Sequence, residues 1–126
     1  MAAAVGLGGA VGALMRYAVG RAFAGAGFAA PFATLFVNIV GSFIMGLIVG
    51  WILVRGEIST EIRALLSIGM LGSFTTFSTY SVDALVLSRD KGIQWAVAYA
   101  GGSVILSIAA VAFGYWLAAS FFQRGP

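Results

Sequence analysis

Long uncharged stretches limit, more than any other feature, the folds open to this sequence. Residues 22–54 form an uncharged run of 33, residues 92–123 a run of 32 and residues 64–82 a run of 19. A helix needs ~20 apolar residues to cross the ~30 Å hydrocarbon layer of a bilayer. The runs also lack the strict alternation of a membrane β-barrel. The sequence therefore predicts an all-α integral membrane protein.

The composition of the chain agrees with this prediction and excludes several classes of chemistry. Hydrophobic residues make up 61% of the 126 residues and charged residues only 9%, against roughly 25% charged residues in soluble domains. The seven basic residues are scattered near the predicted helix ends, which indicates interfacial anchors and not a nucleic-acid site. The sequence has no Cys and no His, which excludes thiol and imidazole catalysis and the usual zinc ligands. We predict that the protein is not an enzyme.

The runs predict a single domain, residues 1–126, with four transmembrane helices. Their approximate bounds are 2–20, 32–54, 63–87 and 94–121. The first of these segments resembles a signal peptide in length. Signal peptides, however, carry their positive charge before the apolar region, whereas Arg16 and Arg21 follow it here. We therefore interpret the segment as a membrane helix.

The basic residues are almost evenly divided between the two sides of this four-helix arrangement. One side carries Arg55, Arg63 and Arg124, and the other carries Arg16, Arg21, Arg89 and Lys91. Orientation in a membrane follows the excess of Lys and Arg on the cytoplasmic side. A division of three against four favours insertion in both orientations and an antiparallel, dual-topology homodimer. The alternative is a single orientation fixed by a partner or by a weak bias.

Polar side chains occupy one face of each of two predicted helices, because they recur at a spacing of four. They are Thr34, Asn38 and Ser42 in the second helix, and Tyr99, Ser103 and Ser107 in the fourth. A lone Asn38 would be typical of a hydrogen bond that joins two helices. Two stripes together favour the wall of a pathway.

The third predicted helix contains six hydroxyl residues within nine positions. They are Ser73, Thr75, Thr76, Ser78, Thr79 and Ser81. A regular helix would turn some of them towards lipid, so the cluster predicts that the third helix is broken near its middle. Irregular backbone at membrane depth is tolerated when it is buried in protein or lines a cavity. Unwound carbonyls at such places commonly bind cations.

Aromatic rings recur every third residue through this cluster, at Phe74, Phe77 and Tyr80. Such spacing is usually a packing pattern. The edge of an aromatic ring is nevertheless electropositive, and the Asn38 amide and the hydroxyls are hydrogen-bond donors without a full charge. Neutral donors hold an anion weakly enough to release it, as conduction requires.

Four motifs together resemble the Fluc (CrcB) family of fluoride channels over nearly the whole chain. The third-helix sequence GSFTTFSTYSVD (72–83) is the most specific. VNIVGS (37–42), GALMRY (12–17) and YAGGSVILS (99–107) are similar to motifs of the family's second, first and fourth helices.

This resemblance implies an antiparallel homodimer with two narrow pores that exports fluoride passively across the bacterial cytoplasmic (inner) membrane. The implied partners are fluoride, a second copy of the chain and the lipid bilayer. The resemblance also implies a structural sodium ion at the dimer centre. Its ligands would be the main-chain carbonyls of Gly72 and Thr75 from both copies.

The family's functional residues correspond to positions on all four helices of this sequence. The pore residues are expected to be Asn38, Phe77 and Tyr80, the polar track Thr34, Tyr99, Ser103 and Ser107, and the vestibule residue Arg16. We include the hydroxyls of Thr76 and Ser78 in the expected fluoride path. The sequence departs from the common pattern at three positions: Ser73 replaces a frequent Gly, Tyr80 a frequent Phe and Asp83 a frequent Glu.

Two other classes of protein would also fit a small apolar chain. Small multidrug transporters are four-helix, dual-topology dimers of similar length, but they depend on a carboxylate in the first helix. Residues 2–20 contain no acidic residue. A purely structural subunit without transport is the other alternative, and it predicts that substitutions in the hydroxyl cluster alter folding alone.

Overall fold

The computed structural model of the protein describes residues 1–56 and 58–123. Every element in these residues is helical. The elements are α1 (Ala2–Gly25), α2 (Ala30–Arg55), α3 (Thr60–Arg63), a π-helix (Ala64–Leu71), α4 (Gly72–Phe74), α5 (Phe77–Asp90) and α6 (Ile93–Gln123). Arg124, which enters the count of basic residues above, lies outside the described residues.

Three of these helices are long and apolar enough to cross a bilayer. They are α1, α2 and α6, with 24, 26 and 31 residues. Their large side chains mostly point outward: Leu14, Ile105 and Trp116 are all exposed. A helix bonds its own backbone polar groups and presents apolar side chains to its surroundings, as hydrocarbon requires. The architecture fits a multi-pass membrane protein.

The ends of the helices follow from local sequence signals. Pro31 lies in the first turn of α2, where a missing N–H leaves no hydrogen bond unmade. Gly56 ends the same helix with a φ of 77°, which is a left-handed conformation that favours glycine. The hydroxyl of Ser59 accepts a hydrogen bond of 3.2 Å from the Ile62 N–H and so begins α3.

Glycines bring α2 and α6 into backbone contact. A Cβ atom added to Gly46 would collide with the Val111 carbonyl oxygen, and one added to Gly114 would collide with the Phe43 carbonyl oxygen. Small residues at membrane helix interfaces allow this close approach, and with it van der Waals contact along the backbones. Gly46 in α2 and Gly114 in α6 thus act as packing residues.

A second glycine interface joins α1 to the π-helix. Added Cβ atoms at Gly8 and Gly12 would collide with the carbonyl oxygens of Leu65 and Met70, and Gly69 is similarly confined from the other side. The π-helix is an unusual element, because hydrogen bonds from residue i to residue i+5 are rare and are often found near functional sites. It leads into α4, which also packs on α1.

The helices form two groups, which pack together through α1 and α2 and are connected along the chain by residues 75 and 76. The first group contains α1, the π-helix and α4, and the second contains α2, α5 and α6. Thr75 and Thr76 connect α4 to α5 and have extended backbone, with ψ values of 159° and 124°. This extended pair is where the polar part of the molecule is concentrated.

The contact between α2 and α6 predicts that two glycines of α6, Gly114 and Gly101, differ in how much their substitution affects stability. We expect Gly114→Ala to destabilise the protein by about 1–3 kcal/mol, because the added methyl forces the helices apart. Gly101→Ala is the control, since an added Cβ there meets no atom of the described residues within 4 Å. Thermal unfolding of the purified variants measures both. Equal unfolding temperatures for the two variants would contradict the packing role of Gly114.

Candidate functional site

The extended pair Thr75–Thr76 is held in place by the side chain of Asn38 on α2. The Asn38 amide Nδ2 donates to the Thr76 carbonyl oxygen at 3.0 Å, and the Thr76 N–H donates to Asn38 Oδ1 at 2.8 Å. The amide therefore pairs the Thr76 N–H, which has no helical acceptor, and adds a second bond to the carbonyl from which α5 begins. Gly41, one turn further along α2, leaves the space that the Thr75 methyl occupies.

Most of the hydroxyl cluster is also bound locally. The Thr76 hydroxyl caps α5 by accepting from the Thr79 N–H at 3.2 Å, and it lies 3.2 Å from the Thr79 hydroxyl and 3.3 Å from that of Ser78. The Thr75 hydroxyl donates to the Leu71 carbonyl at 3.0 Å. These bonds let polar side chains lie beside apolar helices, because each satisfies its donor or acceptor within the chain.

A cavity of about 320 Å³ opens beside the extended pair. It is lined by Asn38, Ser42, Thr75, Thr76, Phe77, Tyr80, Ser103, Val104, Ser107 and Ile108. The structure thus brings together Asn38, Thr76, Phe77, Tyr80, Ser103 and Ser107 of the residues expected from the sequence. Among the described residues, this lining offers neutral donors and carries no Lys, Arg, Asp or Glu. We call this space the polar cavity.

Ser103 is the most distinctive residue of the polar cavity. Its side chain is buried, and its hydroxyl has no hydrogen-bond partner in the described part of the chain. A buried polar group without a partner destabilises a protein by about 1–3 kcal/mol, so native structures seldom retain one. Within the described residues, Ser103 is therefore a member of the polar cavity lining whose hydroxyl donor is not used.

The aromatic residues form a short row of tilted rings, of which Phe77 and Tyr80 line the polar cavity. The ring centroids of Phe77 and Tyr80 are 5.2 Å apart, and those of Tyr80 and Tyr99 are 5.6 Å apart. The Tyr80 hydroxyl donates to the Ala100 carbonyl oxygen of α6 at 2.9 Å. This hydroxyl, absent from the more frequent Phe, therefore tethers α5 to α6. Phe77 is 78% exposed.

The expected polar track divides into two parts in the structure. Ser103 and Ser107 line the polar cavity, whereas Thr34 and Tyr99 donate to the Oδ2 atom of Asp83, at 2.6 and 3.3 Å. The Asp83 side chain is buried. Buried carboxylates require such donors, because an unpaired charge is strongly disfavoured away from water. Sequence reasoning noted Asp83 only as a departure, although an acid near a membrane segment is itself a functional signal.

Arg16 lines a separate cavity of about 300 Å³, between α1, α2 and α5. Thr34 and Thr79 belong to its wall. Because Thr34 also bonds Asp83, and Thr79 bonds Thr76, these two threonines lie between the Arg16 cavity and the groups around the extended pair. Ser78 is exposed and lines neither of the two cavities.

The carbonyls of Gly72 and Thr75 are suited to a cation. In an uninterrupted helix they would accept from the N–H groups of residues 76 and 79. Those N–H groups donate instead to Asn38 Oδ1 and to the Thr76 hydroxyl. Carbonyl oxygens without helical donors are ligands that hard cations prefer. The donor set therefore fits an ion such as sodium.

Comparison with known proteins places the chain among relatives of one kind. The family model described as CrcB-like protein, Camphor Resistance (CrcB), matches residues 3–115. A protein of Chelativorans sp. (strain BNC1) named fluoride-specific ion channel FluC is 49% identical over 118 residues, which cover 90% of this chain and 92% of the relative.

Two further relatives carry the same printed name. The protein of Hyphomonas neptunium (strain ATCC 15444) is 42% identical over 120 residues, with 94% of each chain covered. The protein of Thermus thermophilus (strain ATCC BAA-163) is 44% identical over 116 residues, with 90% of this chain and 89% of the relative covered. The similarity thus extends over almost the full length of these proteins.

The Asn38 amide gives a stability prediction for the extended pair. Asn38→Ala leaves the N–H of Thr76 unpaired and removes one of the bonds to its carbonyl, so we expect a loss of about 1–3 kcal/mol in the free energy of unfolding, reduced where water enters. Ser42→Ala is the matched control, because Ser42 lines the same cavity one turn along α2. Amide hydrogen exchange at residues 75–79 should accelerate in Asn38→Ala alone. Unchanged exchange in that variant would show that the amide does not hold the extended pair.

Proposed function

Because the chain belongs to the CrcB family, we propose that it is a fluoride-selective, passive ion channel of the bacterial cytoplasmic membrane. The names of its relatives support this assignment, and so do three apolar helices long enough to span a bilayer. In the proposal, the segment from α3 to α5 supplies a fourth span that is interrupted at Thr75–Thr76. The protein is then a channel and not an enzyme.

The single observation that carries the proposal is the unpartnered hydroxyl of Ser103 in the wall of the polar cavity, as the described residues form it. Fluoride is a small anion that accepts strong hydrogen bonds and loses its water reluctantly. The Ser103 and Ser107 hydroxyls and the second N–H of the Asn38 amide supply donors that can replace this water. The exposed ring of Phe77 adds an electropositive edge and narrows the cavity against larger anions.

The neutral lining of the polar cavity favours passage over tight binding. A fixed Lys or Arg would hold the anion strongly, whereas conduction requires a site that the anion can both enter and leave readily. We assign Arg16 to a vestibule that attracts anions, and Thr34 and Tyr99 to the outer part of the polar track beside Asp83. In this assignment Asn38 has two functions: it holds Thr76 and donates to fluoride.

We further propose that two copies assemble as an antiparallel homodimer with two pores. Phe77, Ser78, Thr79 and Ser81 are exposed on α5 although they flank the extended pair. Polar groups at membrane depth belong against protein or water and not against lipid. A second copy covering this surface would bury them. The near balance of basic residues on the two sides supports the opposite orientation of the two copies.

A sodium ion fits the centre of such a dimer. Gly72 is exposed, and its carbonyl and that of Thr75 lack their helical donors. We propose that these carbonyls from both copies hold the ion. When bound, the ion would offset the negative ends of the carbonyl dipoles and fix the two extended pairs relative to each other.

Fluoride efflux from liposomes that contain the purified protein tests the proposed function. We expect fast fluoride efflux without chloride efflux. Ser103→Ala should slow fluoride efflux about tenfold to a hundredfold, because a hydrogen bond to a charged group contributes ~1.5–3 kcal/mol. Its unfolding temperature should not fall, since the removed hydroxyl has no partner among the described residues.

Ser120→Ala is the matched control, because it lies on the same helix and does not line the polar cavity. It should conduct as the unaltered protein does. Chloride efflux as fast as fluoride efflux would refute selectivity. Equal fluoride efflux from the two serine variants would remove Ser103 from the path.

The absence of native cysteine makes the proposed dual topology directly measurable. We expect Thr60→Cys and Gln94→Cys, at opposite membrane sides of the proposed four-span arrangement, each to react to roughly half with a membrane-impermeant maleimide on intact cells. Permeabilised cells, in which both fractions become accessible, give the reference for full labelling. External labelling confined to one of the two variants would show a single orientation.

A further inference from the structure

A second cavity, remote from the polar one, lies between the last turns of α2 and α6. Its volume is about 490 Å³, and its walls are formed by Leu47, Ile48 and Trp51 of α2 and by Leu117, Phe121 and Phe122 of α6. All of these side chains are apolar apart from the indole N–H. We call this space the terminal groove.

The terminal groove follows from the way the two helices pack. Gly46 and Gly50 let α2 touch the backbone of α6 on one face. The large side chains at positions 47, 48 and 51 therefore project beside that contact, and those of Leu117 and Phe121 project from the other helix. The groove is thus bounded by two helices in fixed contact.

A positively charged side chain lies at the outer end of the terminal groove. Leu47, Trp51 and Arg55 are spaced four apart and so lie on one face of α2. The exposed guanidinium of Arg55 lies 5.7 Å from the centroid of the Phe122 ring, which forms part of the groove wall. Arg55 ends α2, so eight residues separate the charge from Leu47, a distance of about 12 Å along the helix.

We propose that the terminal groove binds an anionic phospholipid. One acyl chain occupies the apolar walls, and the phosphodiester pairs with the Arg55 guanidinium. Within the described residues, this apolar groove ends at the single positive charge of Arg55, so its depth suits one acyl chain and its charge is complementary to a phosphodiester. Clusters of positive charge between membrane helices recognise anionic headgroups in the same way, and Trp51 is of the type that lies at headgroup level.

Native mass spectrometry of the purified, full-length protein tests this site. The probes are phosphatidylglycerol and phosphatidylcholine with identical acyl chains, each titrated into the detergent solution. We expect the dissociation constant for phosphatidylglycerol to be about fivefold lower, the effect of one Arg near a membrane surface. Arg55→Gln should abolish this preference and leave phosphatidylcholine binding unchanged. Leu117→Trp, which fills the groove, should weaken the binding of both lipids.

Arg63→Gln is the matched control, because Arg63 is exposed in the neighbouring α3 and does not line the groove. It should retain the preference for phosphatidylglycerol. Equal binding of the two lipids by the unaltered protein would overturn the proposal. An equal loss of the phosphatidylglycerol preference in Arg55→Gln and Arg63→Gln would also overturn it, because that result indicates diffuse electrostatic attraction. A Leu117→Trp variant that binds both lipids normally but no longer dimerises would overturn it as well. Because the readout is lipid binding, the result is independent of fluoride flux.

Discussion

Two hydrogen bonds between the Asn38 amide and the backbone of Thr76 allow the chain to leave helical geometry among apolar helices. Without them the N–H of Thr76 would have no partner, a state that hydrocarbon strongly disfavours. The rest of the polar region depends on this contact. It frees the carbonyl of Gly72, while the Thr76 hydroxyl frees that of Thr75 and caps the new helix that starts at Phe77.

The contact itself depends on how closely the helices approach. Gly41 accommodates Thr75 beside α2, and Gly46 and Gly114 bring α2 against α6. A larger residue at these positions would move the amide away from its backbone partners or widen the polar cavity. Small residues thus determine the distances between the helices, while the Asn38 amide pairs with the backbone groups of Thr76. Neither would suffice alone, because a hydrogen bond weakens steeply at poor angles and is lost at donor–acceptor distances of about 3.6 Å.

The positions of three helices can be predicted from the sequence, because apolar runs and the charges that bound them determine each helix locally. The predicted helices 2–20, 32–54 and 94–121 lie within α1, α2 and α6. The sequence also indicates irregular backbone within 73–81, since hydroxyls spread around a helix would face lipid. The sequence does not predict which residues become hydrogen-bond partners, because this depends on tertiary contacts. The Tyr80 bond to Ala100, the convergence of Thr34 and Tyr99 on Asp83, and the widened π-helix all depend on how helices meet, and no spacing rule encodes them.

The division of the helices into two glycine-packed groups has a mechanical consequence. Within the described residues, the groups pack together through α1 and α2, and at membrane depth the backbone passes from one group to the other at Thr75 and Thr76. Helices adjust to a thicker or thinner bilayer by changing their tilt. A change in tilt between the groups would alter the α1–α2 contact and the backbone at Thr75 and Thr76, beside the polar cavity. Bilayer thickness and lateral pressure would then act on the width of the same space that holds the unpartnered serine.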